Sequence, residues 1–109
     1  MSITVNLYYT GKNGSARKFA EEMEKSGTAA AIREEKGCLR YEYFITMKDS
    51  ETVLLIDSWE SQEAIDLHHN SEMMRIVTEL REKYDLHMRA ERFTSPDKFP
   101  EKDKGFLRE

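Results

Sequence analysis

Apolar and polar positions alternate at the start of the chain. Ile3, Val5, Leu7 and Tyr9 share one face, and Thr4, Asn6 and Tyr8 share the other, the period of a strand. Gly11-Lys12-Asn13-Gly14 is turn chemistry, after which Asn13 or Ser15 can cap a helix. Ala16, Phe19, Ala20 and Met23 then recur at three and four residues, one apolar stripe. Ser26-Gly27-Thr28 interrupts this helix, Ala29 to Glu35 resumes it, and Gly37 ends it. A second strand is expected from Leu39 to Ile45, with Leu39, Tyr41, Tyr43 and Ile45 facing one way and Arg40, Glu42 and Phe44 the other. The third, Val53 to Trp59, opens on Val53-Leu54-Leu55-Ile56. That run does not alternate, so both faces are expected to be buried, one under helices and one under a second subunit.

Ser61 is placed to cap a helix that carries His68 and breaks at Asn70, and Ser71 caps the next. There Met73, Val77, Leu80 and Tyr84 fall on one face. Leu86 to Phe93 is the fourth strand. The order strand, helix, strand, strand, helices, strand predicts an α+β chain with an antiparallel sheet: the split β-α-β, ferredoxin-like fold. One domain is expected over 1–93. Residues 94–109 hold both prolines and many charges without periodicity, and read as an exposed tail or a segment whose Phe99, Phe106 and Leu107 pack on a neighbouring subunit.

Composition narrows the class. Charged residues are 35% of the 109, the hydrophobic set is 39% and aromatics are 10%, which suits a modest folded core and argues against disorder. No apolar run reaches the length of a membrane span. Met1-Ser2-Ile3-Thr4-Val5 lacks the pattern of a signal peptide, so a cytosolic location is expected. A net charge of −4 without a basic stripe argues against nucleic acid. Cys38 is the single cysteine, which excludes a disulfide framework and a thiolate-built metal site. His68 and His69 are adjacent, a spacing that does not put two ligands on one helix face, and no metal is expected.

The residues that can carry chemistry gather around the third strand and the helix after it. Trp59 ends the strand, and His68 follows one to two turns into the helix. His68 titrates near neutral pH and suits a general base; it also reads as a helix histidine with a structural hydrogen bond. Trp59 reads as core packing or as the wall of a flat aromatic site. Asn6 sits mid-strand, where asparagine is disfavoured, and a buried amide there needs an internal or a ligand partner. Tyr8, Tyr41 and Tyr43 are sheet-packing residues or lining. His69 and His87 read as exposed or structural, and Arg33 as a solvated helix residue or an anion contact. Nothing cationic beside Cys38 marks it as a nucleophile.

Three pieces resemble the antibiotic biosynthesis monooxygenase family, over about residues 3–93. They are Glu35-Lys36-Gly37-Cys38-Leu39-Arg40-Tyr41-Glu42, then Ile56-Asp57-Ser58-Trp59, then Glu63-Ala64 with His68 and Ser71. The chain departs from the family pattern at Asp57, where glutamate is usual, and at Met73, where a further histidine is common. The resemblance implies a dimeric α/β barrel, two sheets packed face to face, with a pocket between sheet and helices in each subunit. It also implies an oxygenase without metal, haem or flavin, acting with molecular oxygen on a quinol or similar electron-rich aromatic. In that reading His68 is the base, Asn6 the polar contact, and Trp59, Tyr41 and Tyr8 line the substrate. A haem-degrading branch calls for a histidine ligand where this chain has Thr78. An isomerase or a non-catalytic ligand-binding dimer of the same fold is the alternative.

Overall fold

A computed structural model describes residues 2–94 and 99–108. Its elements are β1 (Ile3–Thr10), α1 (Ser15–Lys25), α2 (Thr28–Arg33), β2 (Cys38–Ile45), β3 (Thr52–Trp59), α3 (Gln62–His69), α4 (Glu72–Lys83), β4 (His87–Thr94) and α5 (Glu101–Lys104). The strands form one sheet in the order β2-β3-β1-β4, and every neighbouring pair is antiparallel. This is the ferredoxin-like α+β fold expected from the element order.

Strand parity divides the side chains. Ile3, Leu7 and Tyr9 of β1 are buried with Val53, Leu55, Asp57 and Trp59 of β3 on the face that meets the helices. Phe19 and Met23 of α1 and Ile32 of α2 close over them, fully buried. Phe19 lies 5.0 Å from the Tyr9 ring and 6.0 Å from Tyr43, centroid to centroid, tilted and edge-on contacts that ring quadrupoles favour. The other face carries Thr4, Asn6 and Tyr8 beside Ser58, Ile56 and Leu54, all half-buried. Within one chain, burial on β3 therefore alternates; the helices cover one face, as expected, and the other face is half-buried.

Three local features differ from the sequence reading. Leu39 sits at a bulge between Cys38 and Arg40. The extra residue shifts parity, so Cys38, opposite Trp59, packs on the core while Leu39 is 56% exposed. Neither Asn13 nor Ser15 caps α1. Asn13 and Gly14 both have positive φ, and their amides donate to the Glu51 carboxylate at 2.7 and 2.8 Å, so a residue from the β2–β3 connection serves the helix end. Finally, the C-terminal segment contains the turn α5, spanned by a Lys104–Glu101 contact of 2.9 Å. Residues 95–98 of the expected tail lie outside the described residues. Ser61 and Ser71 do cap α3 and α4, accepting from the Ala64 and Met74 amides.

Candidate active site

His68 is positioned by two segments far apart in sequence. The turn after α2 passes through Gly37 at φ 84°. A Cβ there would stand 2.6 Å from the Ala64 Cβ, so glycine lets α3 lie directly against this turn. The Glu60 amide donates to the Gly37 carbonyl at 2.8 Å and ties the two together. Glu35 thereby comes within reach of His68, with Oε1 2.8 Å from Nδ1. Ser71 donates to the second Glu35 oxygen at 3.4 Å and to the His68 carbonyl at 2.7 Å.

The ring itself is 5% exposed. It stacks on Trp59 with centroids 4.6 Å apart and planes at 25°, and meets Tyr41 edge-on at 6.3 Å. Burial holds the imidazole below its ordinary pKa of 6.5, and the Glu35 carboxylate pulls the other way. With Nδ1–H donating to Glu35, the neutral ring keeps Nε2 as its free, basic nitrogen.

His68, Trp59 and Tyr41 all line a cavity of about 270 Å³ between the sheet and helices α3 and α4. Val5, Leu55, Ile65 and Val77 make its walls apolar, while Asp57 and Arg81 add polar groups. Asp57 is 7% exposed. Burial raises its pKa to about 6, against the opposing pull of the Trp59 side chain and of Arg81. Arg81 reaches in from α4 and donates through Nη2 to the Tyr9 hydroxyl at 2.6 Å. Its Nε is shut off from solvent without a hydrogen-bond partner among the described residues, a state that costs about 1–3 kcal/mol. The Tyr41 and Tyr43 hydroxyls lie 3.2 Å apart, and burial raises both phenols above their ordinary range.

Asn6 and Tyr8 do not join this group. They sit at even positions of β1, opposite in parity to Val5 and Leu7, so they project from the open sheet face. Tyr8 there lies under the Arg89 guanidinium, 3.8 Å from its ring centroid. The Asn6 amide is half-buried on that face, so enclosure in the protein interior does not explain its place in β1. Arg33 is held by Glu24 through two hydrogen bonds, at 3.0 and 2.6 Å, and by the Tyr41 carbonyl at 2.8 Å, which leaves it no role at the cavity. His87 lines a separate depression with Lys12 and Asp85, whereas His69 is on the cavity rim. Burial raises the Cys38 thiol above its ordinary pKa, the reverse of nucleophile activation. Sequence reading missed Glu35, Asp57 and Arg81 as site residues. For Asp57 the signal was present, since it shares strand parity with Trp59.

The family model described as antibiotic biosynthesis monooxygenase matches residues 2–79. No curated protein matches the chain in sequence. Among solved structures, the chain is similar to PA3566 from Pseudomonas aeruginosa, at TM-score 0.75 and 23% identity over 88% of this chain and 95% of that one. It is also similar to SnoaB, a cofactor-independent oxygenase from Streptomyces nogalater, at TM-score 0.75 and 16% identity over 92% and 98%. A third similar structure, Rv0793 from Mycobacterium tuberculosis, has TM-score 0.72 and 15% identity over 90% and 98%. At these identities the likeness is one of fold.

Proposed function

The chain belongs to the antibiotic biosynthesis monooxygenase family, and from that premise we propose that it oxygenates a quinol or similarly electron-rich aromatic without a cofactor. The observation that carries this reading is His68 on the wall of a largely apolar cavity, held from behind by Glu35 at 2.8 Å. Singlet substrate and triplet oxygen react slowly, and a ring anion lowers that barrier by giving oxygen one electron. His68 Nε2 takes the substrate's hydroxyl proton, and Glu35 stabilises the imidazolium that forms. The ring radical and superoxide combine, forming a C–O bond. Imidazolium returns the proton to the peroxide. Loss of the ring C–H proton with cleavage of the O–O bond then releases water and leaves a carbonyl. For a simple quinol the products are a hydroxyquinone and one water. Trp59 and Tyr41 act as flat walls, and the apolar lining keeps water from the radical pair.

Asn6 and Tyr8, on the opposite sheet face, are left out of this mechanism. That face carries Leu54, Ile56 and Tyr8 at half-buried positions and Phe44 and Phe93 exposed. In this reading a second copy of the chain covers it, sheet against sheet. SnoaB, described as a cofactor-independent oxygenase, supports the chemistry by analogy.

The test is oxygen uptake by chelator-treated protein against a panel of reduced quinols, each corrected for its spontaneous oxidation. Uptake above background on some members supports the reading. Background rates throughout would overturn it in favour of an isomerase or a binding module.

A further inference from the structure

We propose that the ligand of this cavity carries a permanent anionic group, a carboxylate on the ring, which the guanidinium of Arg81 binds with Arg92 at the rim. The proposal rests on the reading of the cavity as the substrate site and adds the chemical class of what enters it.

The first observation is the unused donor. Arg81 Nη2 is engaged by Tyr9 and the guanidinium lies over the Tyr9 ring, 5.3 Å from its centroid. The side chain is therefore fixed, and its Nε remains buried and unpartnered among the described residues on a residue that lines the cavity. A fixed guanidinium with unmet hydrogen-bonding capacity on a cavity wall is what a site for an anion presents before its ligand arrives.

Charge pairing is the second observation. Arg17, Arg33, Arg40 and Arg75 each lie against a carboxylate, Glu21, Glu24, Glu42 and Glu72 respectively. Among the described residues no salt bridge reaches Arg81, Arg89, Arg92 or Arg108, and of these Arg81 and Arg92 line the cavity. Asp57 is the one carboxylate among the lining residues. It forms no salt bridge with Arg81 or Arg92, and with its pKa raised to about 6 by burial it carries one negative charge near neutral pH. The wall thus presents two permanent cations against a single carboxylate, an excess of positive charge. Arg92 stands in the same sheet row as Asp57, joined through Val5, so both cations face one volume. A neutral quinol would leave this charge unanswered, whereas a ring carboxylate answers it and leaves the hydroxyls free for His68.

The experiment is an anaerobic titration near neutral pH, read by fluorescence of Trp59, the single tryptophan of the chain. Its two probes are gentisate, a quinol with a ring carboxylate, and its carboxamide, which matches it in shape without the charge. Wild type should bind gentisate roughly tenfold or more tighter than the amide, as a charge-assisted contact implies. Arg81→Met should abolish the preference, Arg81→Lys should keep part of it, and Arg92→Gln should reduce it. Equal binding of the two probes by wild type, or a preference undiminished in Arg81→Met, would overturn the proposal. If Arg81→Met fails to fold, Arg81→Lys and Arg92→Gln decide, and an unchanged preference in both overturns it. No oxygen is consumed in this titration. A protein that never oxygenates a quinol can still show the preference, so the two readings fail separately.

Discussion

The imidazole of His68 lies on the indole of Trp59, ring centroids 4.6 Å apart, so the last residue of β3 supports the group that α3 presents to the cavity. The same indole is 1% exposed and fills the core beneath it. Trp59→Ala should cost about 3–5 kcal/mol of stability and free the His68 ring. Trp59→Phe should cost much less and keep a flat support. Denaturant unfolding of the two variants measures the difference; no loss in Trp59→Ala would contradict the packing role, and an equal loss in Trp59→Phe would contradict the claim that any flat ring suffices.

Glu35 acts through His68 and makes no contact with substrate in the proposed mechanism. Glu35→Gln should lower turnover by about tenfold or more while leaving the fold intact. It should also move the acid limb of the pH–rate profile. Glu35 raises the His68 pKa against the depression by burial, so removing the charge should shift half-maximal activity to lower pH. A rate loss with an unmoved limb would reduce Glu35 to a structural residue.

Asp57 gives a stability prediction with a definite sign. Its folded pKa is raised from 3.8 to about 6, so between those values the folded chain holds a proton the unfolded chain has lost. Stability therefore falls as pH rises through this window, and the cost is fully present above it. Asp57→Asn should stabilise the protein at neutral pH by at most about 3 kcal/mol and give no gain near pH 3.8 and below. Thermal melts of both proteins across pH test this, and a gain independent of pH would contradict it.

Gly37 links the sequence motif to the site. Its φ is 84°, and a methyl group added there would stand 2.6 Å from the Ala64 Cβ, so Gly37→Ala is doubly unfavourable. The variant should lose at least about 1 kcal/mol and separate Glu35 from His68. Its activity should therefore fall toward that of Glu35→Gln, measured under conditions where it remains folded.

Much of the fold was legible because side-chain period reports backbone geometry directly. The alternation of Ile3, Val5, Leu7 and Tyr9, the stripe through Phe19 and Met23, and the serines before α3 and α4 placed the elements and their inner faces. Parity also held the answer for Asn6 and Tyr8, since both fall on the face of β1 away from Val5. The bulge at Leu39 was not legible, because one inserted residue flips parity without any local mark. Contacts such as Glu35 with His68 or Arg81 with Tyr9 join residues 33 and 72 positions apart. No local pattern encodes such pairs, and only the packed sheet and helices bring them together.

Whether His68 is the base of a cofactor-free oxygenase is decided by oxygen uptake, comparing wild type with His68→Ala on the best quinol of the panel. The rate should fall by about a hundredfold or more in a variant whose circular dichroism matches wild type. Equal rates in the two proteins would contradict the assignment and remove His68 from the chemistry.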